Sequence, residues 1–249
     1  MHKILIIGGT AEGFKIASLI EKKSFLPILS LQGNTLKPKE VYYETRVGGF
    51  GGVEGLKDYL IKNSIKIIID ASHPYSIQIS NNALIASKQL DIKLIKLNRS
   101  AWRQTYSDNW LRVKSFSDSK YILDALPRET RIFLTIGKKY LPIFYDCKQW
   151  IMIRTIDQYN NCRTGNRKYI TGRGPFQVSQ ELILLKGNNI THIVSRNSGS
   201  KETYAKIQAA KILGIEIIMI DREKESILGK NIHIDEIIKN TVNYLGRNK

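Results

Sequence analysis

The sequence predicts an α/β fold in which parallel strands are covered by crossover helices, and three observations predict it. Apolar, β-branched runs alternate with segments of helical period along the whole chain. Those runs are nearly continuous rather than alternating, as strands buried on both faces should be. The first of them passes straight into a glycine-rich turn and a helical pattern. The expected strands, in order, are Lys3–Gly8, Phe25–Leu31, Ile65–Asp70, Lys93–Leu97, Arg131–Ile136, Ile151–Ile156, Ile190–Ser195 and Ile215–Ile220. Between them Phe14, Ala17 and Ile20 follow a helical period; Ile79, Ala83, Ala86 and Leu90 share one helical face, as do Val178, Leu182 and Leu185, and Ala205, Ala209 and Ile212. These stripes read as core. Pro127 follows a short helical segment and a new strand starts at Arg131, which places a domain boundary between residues 126 and 127, with about four strands in each half. The polar stretch Asp157–Gly174 has no apolar period and reads as a mobile loop.

Composition narrows the class. The chain has 249 residues, 42% of them apolar, enough for one large or two small cored domains, and this excludes disorder as the main state. Cys147 and Cys162 are too few for a disulfide framework, and Ile4 to Ile7 is far shorter than a signal peptide's apolar region. No run approaches the ~20 apolar residues of a membrane span. A cytoplasmic protein is expected, with no membrane partner. The net charge of +17 favours an anionic partner, but Lys and Arg are spread thinly, which suits steering of a small anion at least as well as clamping a duplex.

Six segments carry candidate chemistry. Gly8-Gly9-Thr10-Ala11-Glu12-Gly13 lets backbone N–H groups and a helix N-terminus approach a phosphate, although Thr10 stands where the second glycine of a dinucleotide fingerprint belongs, and a plain tight turn is the alternative. The second strand ends in Ser30-Leu31-Gln32-Gly33-Asn34 with no acid for an adenosine ribose, and Lys37 and Lys39 follow, which leans towards NADP(H). Val47-Gly48-Gly49-Phe50-Gly51-Gly52 places four glycines around one Phe, a costly choice for a purely structural connection and a useful one for close approach of a ligand. Asp70-Ala71-Ser72-His73-Pro74-Tyr75 follows the third expected strand, where His73 serves either as a proton donor or as an orienting hydrogen-bond group. In the second half, Thr171-Gly172-Arg173-Gly174-Pro175-Phe176 and Ser195-Arg196-Asn197-Ser198-Gly199-Ser200 set arginines before helices, an arrangement suited to carboxylates or phosphates; the plainer reading is solvated loop arginines. Tyr204 and Lys206 lie on the helix that follows. No tyrosine has a lysine four positions on, and His-Glu-x-x-His, Cys-x-x-Cys and Gly-x-Ser-x-Gly are missing, so no metal is expected.

Taken in order, these segments with Arg99-Ser100-Ala101-Trp102 and Leu134-Thr135-Ile136-Gly137 resemble the precorrin-6A reductases, cobalt-precorrin-6A members included, from end to end. The resemblance implies two Rossmann-like parallel-sheet domains with a cleft between them, residues 1–126 holding the cofactor and 127–249 on the substrate side. It implies hydride transfer from NADPH or NADH to a double bond of a polycarboxylate tetrapyrrole in corrin biosynthesis, with positioning mattering more than any one acid or base. Gly8, Gly9, Thr10, Ala11, Ser30, Gly49, Phe50, Gly51 and Ser72 would then bind cofactor. His73 is the first choice of proton donor and Lys206 the second, and Tyr75, Arg173, Arg196, Asn197 and Ser198 would face the substrate. Asn34 stands where the family often has arginine, which leaves the choice between NADPH and NADH open; Ser72 and Ser200 are milder departures. The rivals are another Rossmann-type oxidoreductase and a basic nucleic-acid-binding α/β protein, the latter disfavoured because its basic residues sit in separate glycine loops.

Overall fold

A computed structural model of the chain describes residues 2–33, 41–159, 165–222 and 232–247. Contacts divide it into two compact units, Met1–Ser100 with Ser226–Lys249, and Ala101–Glu225.

The first unit is built on β1 (Lys3–Ile7), α1 (Ala11–Glu21), β2 (Leu26–Leu31), β3 (Glu44–Val47), α2 (Gly52–Lys62), β4 (Ile65–Asp70), α3 (Ile77–Gln89) and β5 (Lys93–Lys96). Its five strands are parallel in the order β3-β2-β1-β4-β5. Side chains alternate across the pleat, so Ile4 and Ile6 join Ile16, Ala17 and Ile20 of α1, while Leu5 and Ile7 join Leu56 and Leu60 of α2 and Ala83 and Ala86 of α3. Both faces of β1, β2 and β4 are buried, and these strand sequences are therefore nearly unbroken apolar runs.

The second unit contains β6 (Trp110–Val113), α4 (Phe116–Ala125), β7 (Arg131–Thr135), β8 (Trp150–Thr155), β9 (Arg167–Thr171), α5 (Val178–Gly187), β10 (His192–Arg196), α6 (Ala205–Leu213) and β11 (Glu216–Ile220), with 3-10 turns at Lys138–Phe144 and Lys201–Thr203. All six strands are parallel, in the order β6-β11-β10-β7-β8-β9. The final helix, α7 (Ile234–Arg247), returns to the first unit, where Ile237 and Leu245 complete the core beside α1.

The expected boundary at 126/127 falls inside the second unit. Trp110–Val113 pairs in register with Ile217–Ile220 of β11, which draws residues 101–126 into that sheet. Three strands escaped the sequence reading, β3 (ETRV), β6 (WLRV) and β9 (RKYIT), and all three lie at sheet edges. An edge strand has one neighbour and a partly wet face, so it lacks the continuous apolar run that marks a central strand. For the same reason part of 157–174, expected as a loop, is β9. Its backbone pairs with β8, and the Arg167 guanidinium donates to Gln149 O at 2.8 Å and to Cys147 O at 2.7 Å. Cys162 lies outside the described residues. Ile212 is 64% exposed rather than core, because α6 buries the flank carrying Ala205, Lys206, Ile207, Ala209 and Ala210.

In each sheet the connections reverse direction once, between β1 and β4 and between β10 and β7. The crevice outside the carboxyl ends of such neighbouring strands is where open α/β sheets receive ligands. In the first unit those ends nearly touch. Gly8 has φ +131°, and a Cβ there would stand 2.5 Å from Ala71 O and 2.8 Å from Ser72 Cα. Gly8→Ala should therefore cost about 2–4 kcal/mol in urea unfolding, through left-handed strain and a backbone clash together. An unchanged midpoint would show that the β1 turn does not pack this tightly.

Candidate functional site

The Gly8–Thr10 turn is tied to β2 and β4 by the backbone. Gly8 N–H donates to Ser30 O at 3.0 Å, and Ala71 N–H donates to Ile7 O at 2.9 Å. Thr10 earns its unusual place in the motif twice over: its hydroxyl donates to Ala71 O at 2.9 Å and accepts the Gly13 N–H at 3.1 Å, capping α1. Gly13 is required by packing, since a Cβ would lie 2.4 Å from Gly8 O. Bare backbone at the N-terminus of α1 thus opens on the carboxyl edge of the sheet between β1 and β4. This fits the pyrophosphate of a dinucleotide. A carboxylate in the first turn of that helix, Glu12, would oppose an anion, but Arg99 pairs with it, Nε to Oε1 at 3.2 Å, and donates to Ala71 O at 3.4 Å. Burial lowers the Arg99 pKa, opposed by the nearby Glu12 and Asp70 carboxylates. A guanidinium keeps its charge under such a shift, so the crevice carries a fixed positive group that the sequence reading quoted without giving it a role.

Ser72 is held by the buried Asp70 carboxylate. Its N–H donates to Asp70 Oδ1 at 3.0 Å, Ser80 Oγ donates to Oδ2 at 2.6 Å, and the two serine hydroxyls are 3.1 Å apart. His73 is half-buried, and its Nδ1 accepts the Tyr75 N–H at 3.3 Å with the two rings 5.6 Å apart. In a neutral imidazole this places the proton on Nε2. His73 therefore orients its own loop whatever else it does.

The glycine loop before α2 joins the same edge through a residue that sequence reasoning missed. Arg46, at the end of β3, donates from Nη1 to Ser30 Oγ and to Gly48 O, both at 2.9 Å, and from Nη2 to Gly49 O at 3.0 Å. Its guanidinium carbon lies 3.8 Å from the Phe50 ring centroid. Gly48, Gly51 and Gly52 have φ of +111°, +82° and +94°, and a Cβ on any of them or on Gly49 would meet nothing within 4 Å among the described residues. Ser30, Gly49, Phe50 and Gly51 are thereby brought to the end of β2. Asn34, Lys37 and Lys39 lie outside the described residues.

In the second unit the two arginine motifs come together. Phe176 N–H donates to Glu202 O at 3.1 Å, and Gly174 packs where a Cβ would lie 2.8 Å from the same oxygen. Arg196 packs over Gly137, where a Cβ would lie 3.5 Å from Nη2. Arg173 is exposed. Asn197 is buried and its amide is committed: Oδ1 accepts the Trp102 N–H at 2.7 Å and Nδ2 donates to Trp102 O at 3.0 Å. Arg222, also missed, donates to Asn197 O at 2.8 Å and Ser198 O at 2.7 Å, holding the turn from within. Ser198 is buried, with its hydroxyl 3.4 Å from Thr203 Oγ1. Beneath them Arg154 forms a bidentate pair with buried Glu181, at 2.8 and 3.2 Å, between the rings of Phe133 and Phe176.

Lys206 is 5% exposed; its ammonium donates to Thr203 O at 2.9 Å and lies 5.1 Å from the Trp102 ring centroid. Burial lowers its pKa from 10.5 to about 7, with Arg154 and Arg196 adding to the fall and Glu181 opposing it. Among the described residues no group of three or more His, Cys, Asp or Glu could hold a metal ion, and no helix is long and apolar enough to cross a membrane.

Comparison with known proteins matches residues 3–241 to the family described as precorrin-6x reductase CbiJ/CobK. A precorrin-6A reductase of Sinorhizobium sp is 35% identical over 246 residues, covering 98% of this chain and 94% of that protein. One from Rhodobacter capsulatus is 35% identical over 224 residues, 89% of this chain and 88% of its own length. A cobalt-precorrin-6A reductase of Priestia megaterium is 26% identical over 235 residues, 89% of this chain and 91% of that protein. The solved structure of a CobK precorrin-6A reductase superposes with a TM-score of 0.87 at 32% identity, covering 99% of this chain and 97% of its own. The chain belongs to the precorrin-6x reductase family, whose members are oxidoreductases that reduce a corrin precursor in cobalamin biosynthesis with a nicotinamide donor.

Proposed function

We propose that this chain reduces metal-free precorrin-6A with NADPH. The observation that carries the cofactor half is the Gly8–Thr10 turn, wedged against Ala71 with the N-terminus of α1 open beside it. The identities support the metal-free substrate: precorrin-6A reductases match at 35%, a cobalt-precorrin-6A reductase at 26%. NADPH is supported by the residues after β2, Gln32 and Gly33, which supply no carboxylate to repel a 2′-phosphate.

When bound, the dihydronicotinamide supplies a hydride to one conjugated carbon of the ring, and a proton completes the reduction at its neighbour. Gly9, Thr10 and Ala11 would hold the pyrophosphate through backbone N–H groups, Gly8 would line the same turn with its own N–H given to Ser30 O, and Ser30, Ser72, Gly49, Phe50 and Gly51 would lie around it. Arg173, Arg196, Ser198 and Tyr75 recognise the macrocycle and its carboxylates, while Asn197 acts indirectly by fixing Trp102. The net charge of +17 draws such a polyanion in. Lys206 supplies the proton in preference to His73, because its pKa of about 7 matches the working pH of a general acid, and its neutral product amine suits a buried site. The same reading puts the enzyme in the cytoplasm, with reduced nicotinamide at hand.

Anaerobic incubation with precorrin-6A or its cobalt form and either nicotinamide should consume NADPH only when corrinoid is present, and fastest with the metal-free ring. A pure protein that binds neither dinucleotide would sink the proposal. Gly49→Ala, whose methyl has open space among the described residues and whose φ lies outside the left-handed region, should raise the KM for NADPH by about tenfold with an unchanged Tm, since the methyl would meet the bound cofactor and no described residue. Lys206→Met should lower kcat by roughly 10²–10⁴-fold and remove a decline in rate as pH rises through about 7. The same variant should unfold less readily than the parent. A lysine pKa depressed on folding costs stability in full below pH 7, a cost that fades as pH rises from about 7 to 10.5. The gain is then largest in acid, at most roughly 5 kcal/mol, and denaturation at pH 6 and pH 10 measures it.

A further inference from the structure

The carbonyls of three successive residues in the glycine loop are turned into the protein. Gly48 O and Gly49 O both accept from Arg46, and Phe50 O lies against Gly55, where a Cβ would stand 1.9 Å from it. In a trans peptide the following N–H points opposite to its carbonyl, so the N–H groups of Gly49, Phe50 and Gly51 are turned away from Arg46 and α2. Among the described residues none of the three donates to a backbone acceptor. Successive N–H groups presented together form an anion-binding concavity. Four glycines do not choose that arrangement unaided, because each samples a wide range of backbone conformations. The choice is made by the guanidinium, whose planar fork reaches Ser30 Oγ and two carbonyls at once while its face rests on Phe50.

We infer that Arg46 is the positioning residue of the cofactor site, a clasp that joins the glycine loop to the end of β2 and aims three backbone N–H groups at an anionic oxygen of the dinucleotide. This rests on the reading of the loop as part of the cofactor site. Arg46 touches no reacting atom and contributes shape rather than charge. A lysine has no fork and cannot bridge the same three acceptors, and a methionine retains only the apolar stem.

The test is fluorescence titration of the full-length protein and its Arg46→Lys and Arg46→Met variants with NADPH and with NADH, alongside Tm and kcat at saturating cofactor. Both variants should bind both dinucleotides about tenfold more weakly, with kcat retained. Parent-like binding by Arg46→Lys would reduce Arg46 to a point charge and overturn the inference. A loss confined to NADPH would make it a reader of the 2′-phosphate and overturn it equally, as would a fall in Tm with unchanged affinity. If the parent protein binds neither dinucleotide, the cofactor reading fails and the clasp fails with it; if the parent binds and the variants match it, only the clasp falls.

Discussion

The approach of the β1 turn to the end of β4 governs everything at the carboxyl edge of the first sheet. Gly8 and Ala71 come so close that no side chain fits between them, and the groups that hold them there are backbone amides, the Thr10 hydroxyl and the Arg99 guanidinium. This contact sets where α1 begins and so where its N–H groups point. It also sets how near Ser72 lies to the same crevice. A parallel sheet supplies the frame at low cost, because burying both faces in apolar side chains leaves the strand ends as the place where polar backbone meets solvent.

The second unit solves a different problem, that of keeping cationic groups next to aromatic ones below the surface. Arg154 is neutralised by Glu181 and covered by two phenylalanines, Asn197 spends its amide on Trp102, and Arg222 secures the turn through carbonyl oxygens. Lys206 donates to a carbonyl, Thr203 O, and not to a carboxylate, and its charge is expensive there. A stability-optimised core would carry a methionine or leucine at that position. Under the proposed function, the lysine there trades stability for chemistry.

Much of this was legible beforehand, for identifiable reasons. Central strands such as β1, β4 and β10 announce themselves because both faces are buried, and the glycine motifs because their composition costs entropy. The edge strands β3, β6 and β9 were hidden because their pairing depends on a distant neighbour rather than on their own periodicity. Arg46 was hidden for a related reason: nothing in Glu44-Thr45-Arg46-Val47 indicates that its guanidinium folds back onto Ser30 and the two carbonyls that follow. The unit boundary was misplaced because β6 pairs with β11, far along the chain, a partnership its own residues do not announce.

Local chemistry, then, was written in the chain: which segments are strands buried on both sides, which turns are built from glycine, and which ordered set of motifs this protein shares with the corrin-pathway reductases. Three-dimensional packing decided the rest, namely that Thr10 serves as a strut to β4, that Asn197 props a tryptophan instead of meeting solvent, and that one lysine among many has a pKa near neutrality. The first kind of fact depends on residue type and spacing, which a sequence states outright. The second depends on distances between groups far apart along the chain and on the loss of water around them, and only folding sets those.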